Sequence, residues 1–310
     1  MDVISQAFDR LNHQEPISSL PHLSKLLGFL EKHPSSHWLL PARICQAVGG
    51  DEVDAVSIVA ANIALHTGVV MIDDLLDQDN RFDRFSITTG DRANYASAFF
   101  AAAYSALMQC SLPRSAQYRM MEYLTACIAM TAQGQDLDTH SEVSNEADYW
   151  QISHLKSSPF FSAAFYLGAL AGNASQDLAN DLKQIGGIYG EMVQIHDDVK
   201  DCFSVPASRD WCLDRYPLPV LYAHLVDYPD REIFASIHPE IQDIRKLRQA
   251  QTLLLRCGAV SYCIYCLIQR SEKIESLASS LSLPNPKPFH EVLSTVIRPA
   301  YQLLEKFQTS

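Results

Sequence analysis

Gly68-Val69-Val70-Met71-Ile72-Asp73-Asp74-Leu75-Leu76-Asp77 decides the reading of this chain: an apolar helical run that closes on three aspartates spaced D-D-x-x-D. The pattern returns 124 positions later, where Met192-Val193-Gln194-Ile195-His196 leads into Asp197-Asp198-Val199-Lys200-Asp201. On a helix, side chains at i and i+4 share a face, so Asp73 points with Asp77 and Asp197 with Asp201. Gathering carboxylates at the end of an apolar helix costs on the order of several kcal/mol unless cations neutralise them. Hard oxygen ligands at this density suit Mg²⁺, which keeps some waters and bridges to phosphate. Two such clusters facing one another would hold a diphosphate between metal ions. Either motif alone reads better as a solvated acidic helix end, but the matched pair reverses that in favour of the metal site. Asp73, Asp74, Asp77, Asp197, Asp198 and Asp201 are therefore the candidate catalytic and metal-ligating residues.

Outward from these motifs, helical periodicity covers most of the chain, including 52–80, 90–109, 114–138, 146–153, 157–172, 175–202, 240–255 and 258–280. Only 12 glycines occur, with no alternating strand pattern, and 47% of residues are hydrophobic. These features predict an all-α fold with an ample core. No linker divides the 310 residues, so one domain over 1–310 is expected, with Asp51 and Ser175 as N-caps. A net charge of −12 disfavours nucleic acid and anionic membranes as partners. The eight cysteines, Cys263-x-x-Cys266 included, mostly sit in apolar helical context and read as small core residues in a reduced cytosol. The N-terminus has no basic or apolar leader pattern, and no uncharged apolar run reaches the ~20 residues of a membrane span. A cytoplasmic protein is expected.

His66, Val69 or Val70, Asp73 and Asp77 form one helical stripe, which sets His66 towards the same cavity as the aspartates. A lone helical histidine is as often structural. Gln194 joins Asp197, Asp198 and Asp201 on the second stripe, and Gln135 closes another apolar helix. A diphosphate also needs cations, and Lys156 and Arg215 are the candidates beside apolar segments, although either could be a surface charge. Phe99, Phe100, Tyr104, Phe160, Phe161, Phe165 and Tyr189 are candidate cavity aromatics, some of them plain core.

Taken together, these motifs resemble those of the trans-isoprenyl diphosphate synthases, the superfamily of farnesyl and geranylgeranyl diphosphate synthases. His66 through Asp77 is similar to the first aspartate-rich region, Gly134-Gln135 to the G-Q motif, and Lys156-Ser157 to the K-T pair. Gln194 through Asp201 resembles the second aspartate-rich region, Asp210 through Pro219 the loop that follows it, and Gly258-Ala259-Val260 the start of a late helix. The resemblance implies one bundle of long helices around a deep cavity and a homodimer. It further implies three Mg²⁺ ions on an allylic prenyl diphosphate, which ionises to a carbocation and pyrophosphate.

The departures concern the second substrate. Where the family's basic upstream motif should fall, the chain reads His33-Pro34-Ser35-Ser36-His37-Trp38, without lysine or arginine. After Asp77 the arginine pair is interrupted as Arg81-Phe82-Asp83-Arg84, leaving Arg84 as a candidate diphosphate ligand. Isopentenyl diphosphate is therefore expected to bind weakly or not at all. Class I terpene synthase chemistry on a C15 or C20 substrate is the expected activity. The alternatives are a prenyltransferase to another acceptor, an ordinary chain-elongating synthase, and a non-catalytic partner subunit. In chain-elongating relatives the residues four and five before the first aspartates floor the prenyl pocket. Here they are Val69 and Gly68, and Gly68 is expected to leave depth for a long chain.

Overall fold

The computed structural model describes residues 2–141, 143–213 and 215–308, with side chains through 299. Asp214, inside the 210–219 stretch, lies outside the described residues. Helices account for the ordered structure, and no strand occurs among the described residues. In chain order they are α1 Val3–Asn12, α2 Pro21–Lys32, α3 Leu40–Ala47, α4 Val56–Leu76, α5 Thr89–Met108, α6 Arg114–His140, α7 Glu146–Lys156 and α8 Ser158–Ala171. These are followed by α9 Gln176–Cys202, α10 Arg209–Cys212, α11 Leu218–Leu225, α12 Arg231–Ile237, α13 Ile244–Arg256, α14 Ala259–Ala278 and α15 Pro286–Gln308. The all-α expectation is met.

Their packing groups into two compact units assembled from alternating segments: Met1–Thr131, Pro159–Gly187 and Ser280–Leu293 in the first, Ala132–Ser158, Ile188–Ser279 and Ser294–Ser310 in the second. In the first unit α4 is the central helix. It buries residues on nearly every face and packs along α5. Its half-exposed positions include His66, Val69, Val70 and Asp73, on the stripe that the periodicity predicts, together with Ile72 and Leu75. Glu52–Leu76 is long and apolar enough to cross a membrane, but 78% of its apolar window is buried, as for a core helix. The second unit has its own core, with Trp211, Phe234 and Leu254 fully enclosed.

Several boundaries differ from the periodicity, each for a local reason. The helix expected over 52–80 opens as a 3-10 turn at Glu52–Ala55 and ends at Leu76, because Gln78 takes a left-handed φ of +55° that stops it. Asp51 makes no side-chain capping bond, whereas the Ser175 hydroxyl accepts from Leu178 N–H. Gly258, at φ +87°, makes the left-handed turn from α13 into α14 that a side chain would strain. All eight cysteines are free thiols, and both members of the C-x-x-C are buried.

Candidate active site

The first aspartate cluster splits by depth. Asp73 and Asp77 are partly exposed, while Asp74 is 2% exposed. Burial pushes the Asp74 carboxyl up to about 6, against the pull of Arg81, whose Nε lies 3.4 Å from Oδ2. The loop after the cluster is braced by Arg92, a buried guanidinium from α5. It donates to the Asp79 carbonyl and, at 2.8 Å, to Asp83. Arg84, expected on a diphosphate, stacks over Phe29 at 4.2 Å and lines a cavity of about 120 Å³ with Trp38, His66 and Arg81.

His66 sits in that wall as a neutral base. Its Nδ1 accepts from the Trp38 indole N–H at 3.2 Å, and its ring packs on Phe160 at 4.9 Å. Burial, helped by neighbouring His37 and Arg81, drives its pKa down to about 4. Phe161 packs edge-on against His37 at 5.1 Å. Both Phe160 and Phe161 are therefore buried supports of the histidines. Phe99 corrects the expectation of a cavity aromatic, since it is fully buried in the core.

Gly68 corrects another. An added Cβ would lie 2.7 Å from Phe100 Cε1, so the ring of Phe100 already takes the room that the glycine leaves. The notch seats an α5 aromatic and leaves no added depth beside α4. Phe100→Ala is expected to lengthen the preferred allylic chain by one isoprene unit, and Gly68→Phe to lose stability by about 1–3 kcal/mol through overpacking. Relative rates on C10, C15 and C20 diphosphates check the first, with an unchanged ranking as the contrary result. Thermal denaturation checks the second.

In the second unit, Asp197 is exposed and Asp201 half-exposed, but Asp198 is committed to the fold. Its Oδ2 accepts from Tyr149 O–H at 2.7 Å and from Leu218 N–H at 2.8 Å, and its Oδ1 from Gln194 at 2.7 Å. Burial still outweighs these three donors and raises its pKa to about 7. The other end of the Gln194 amide accepts from Ser157 O–H, so Gln194 ties α9 to the end of α7. Gln135 is buried, with its Nε2 unpaired. Lys156 and Arg215, far apart in sequence, meet on one oxygen of Asp138, at 2.8 and 3.3 Å. All three line a cavity of about 50 Å³ with Asp198 and Tyr149. Gly134 makes this possible: an added Cβ would come within 2.4 Å of the Lys156 backbone nitrogen, so α6 touches the end of α7 directly.

Two converging cations beside a helix-terminal carboxylate cluster make an anion site next to a cation site. A family model described as Polyprenyl synthetase matches residues 38–251, a span that holds both aspartate clusters, Lys156 and Arg215. The chain belongs to the polyprenyl synthetase family. It is 26% identical over 238 residues to a short chain isoprenyl diphosphate synthase of Methanothermobacter thermautotrophicus, covering 70% of this chain and 71% of that one. Against a geranylfarnesyl diphosphate synthase of Aeropyrum pernix it is 27% identical over 246 residues, covering 72% and 75%. The fold matches that of a Caulobacter crescentus polyprenyl synthase complexed with calcium and isoprenyl diphosphate, at a TM-score of 0.79, 19% identity and coverage of 96% and 92%.

For a polyprenyl synthetase family member, the donor set fits Mg²⁺. Each cluster lies in the last turns of its helix, where the dipole adds negative potential to the carboxylates. Among the described residues no three His, Cys, Asp or Glu groups form a ready cage. A pair of accessible carboxylates per cluster suits an ion that completes its shell with water and phosphate oxygens. Tyr149, Asp138 and Trp38 escaped the sequence reading of the site. Only Asp138, closing the Gly134-Gln135 run, carried a visible signal there.

Proposed function

We propose that this chain is a Mg²⁺-dependent prenyl diphosphate synthase, which ionises a C15 or C20 allylic diphosphate and joins the prenyl group to isopentenyl diphosphate. The convergence of Lys156 and Arg215 in one cavity, in a chain of this family, carries the reading. The names of the curated relatives support chain elongation. Asp197 and Asp201, in the unit that holds Lys156 and Arg215, would hold Mg²⁺, which when bound neutralises charge on the diphosphate, and Asp73 and Asp77 are the candidate Mg²⁺ pair of the other unit. Lys156 and Arg215 take the charge that develops on the leaving oxygens. Asp198 and Gln194 position them through α7 and α11. His66, neutral at pH 7, puts no competing positive charge near an allylic cation. Residues 1–310 act as one domain, because both units are built from alternating chain segments.

A second reading, cyclisation or quenching without isopentenyl diphosphate, is favoured by one observation. Buried Trp38 and the neutral His37 stand where the family's basic upstream motif should fall, and Arg81 is engaged by Asp74 and Asp79. Two arginines, Arg81 and Arg84, remain in that cavity for an acceptor diphosphate. The readings separate in one incubation of the protein with Mg²⁺ and C10, C15 or C20 diphosphates, with and without isopentenyl diphosphate, followed by mass spectrometry. A longer linear diphosphate that needs isopentenyl diphosphate is the expected product. A hydrocarbon or alcohol formed equally without it would establish the second reading, and no pyrophosphate release under either condition would refute both.

A further inference from the structure

Asp138 is the last residue of Gln133-Gly134-Gln135-Asp136-Leu137-Asp138, and its side chain is 17% exposed. One of its oxygens serves two cations, Lys156 Nζ at 2.8 Å and Arg215 Nη1 at 3.3 Å, with side chains 21% and 12% exposed. Arg215 also lies 3.8 Å from Asp210, at the wall of the same cavity. An ammonium and a guanidinium brought to one oxygen form the arrangement that a phosphate oxygen requires. Without an anion the two like charges would repel, and their long side chains would spread into water.

We propose that Asp138 is a positioning residue that acts as an internal stand-in for the diphosphate: it keeps Lys156 and Arg215 converged while the site is empty, and its charge speeds pyrophosphate release. The proposal rests on the diphosphate chemistry argued above. An incoming diphosphate takes over the two cations, and the carboxylate left beside it repels it. That repulsion is felt by substrate and product alike, so Asp138 trades affinity for turnover. A plain structural ion pair predicts a weaker fold on removal of Asp138, without a joint fall in kcat and KM. Removing one partner of a mostly buried pair leaves its cations unbalanced and the fold weaker, with no gain in a particular ligand geometry.

The change in pyrophosphate affinity, taken together with kcat and KM, is the test. Asp138→Asn and Asp138→Ser remove the charge, the first keeping an acceptor for both cations, and Asp138→Glu retains it. Each full-length variant is titrated calorimetrically with pyrophosphate in Mg²⁺, and steady-state rates are measured with an allylic diphosphate. Asn and Ser are expected to bind pyrophosphate about tenfold more tightly than wild type, as for one unit charge removed a few ångströms away. KM should fall with kcat as release slows, while Glu stays near wild type. Unchanged or weaker pyrophosphate binding by a folded charge-removing variant overturns the proposal. So does failure of both such variants to fold, which would make Asp138 a structural counter-ion. A folded wild type that binds no Mg²⁺–pyrophosphate refutes the functional reading itself, and this inference with it.

Discussion

Asp73→Ala and Asp197→Ala are each expected to lower Mg²⁺-dependent pyrophosphate release on the order of a thousandfold, while leaving the fold intact. Both carboxylates are accessible at helix C-termini, where the helix dipole and neighbouring acids already disfavour them. Removing one relieves repulsion in the metal-free protein, so its melting temperature should hold or rise. Asp198→Ala is the contrasting variant. It deletes the acceptor of Tyr149 O–H, Leu218 N–H and Gln194, leaving buried donors unpaired at a cost of about 1–3 kcal/mol each at most. Its activity loss should therefore come with a lower melting temperature. Pyrophosphate release and thermal denaturation on all three variants check this. Near-wild-type rates in both Asp73→Ala and Asp197→Ala would take the aspartate clusters out of the chemistry.

Gly134→Ala should also lower activity strongly, by a different route. The added methyl would fall 2.4 Å from the Lys156 nitrogen and 2.5 Å from the Leu155 carbonyl carbon, which are backbone atoms with no rotamer to yield. The last turn of α7 must move away from α6, and Lys156 moves with it, off Asp138 and Arg215. A stability loss of about 1–3 kcal/mol is expected from the overpacking. A displacement near 1 Å at a group that meets the diphosphate lowers turnover by about a hundredfold. The informative measurement is kcat and KM well below the variant's melting temperature. A folded Gly134→Ala protein with wild-type KM and kcat would show that the close α6–α7 contact has no bearing on the cation pair.

Much of the site was legible along single helices. A stripe of His66, Val69, Val70 and Asp73 follows from 3.6-residue periodicity alone, and all four are among the half-exposed positions of α4, with Ile72 and Leu75 beside them. The roles within each cluster were not legible. Asp197 and Asp198 are neighbours with the same side chain, yet one faces solvent and the other anchors Tyr149 and the start of α11. Phe99 and Phe100 divide the same way, one enclosed and one seated on Gly68. Adjacent positions on a helix differ by about 100° in direction, and which direction faces a neighbour depends on helices distant in the chain.

By itself the sequence determined an all-helical chain, the two D-D-x-x-D helix ends, the family-type motif order and the absence of lysine and arginine in 33–38, because each is a property of spacing within one segment. Tertiary structure alone decided that Lys156 and Arg215 share Asp138, that Trp38 occupies the histidine wall, and that Gly68 and Gly134 are contact points for a ring and a backbone. Those facts depend on side chains separated by up to 77 positions meeting in space, as Asp138 and Arg215 do. Packing sets such meetings, and no local pattern encodes them.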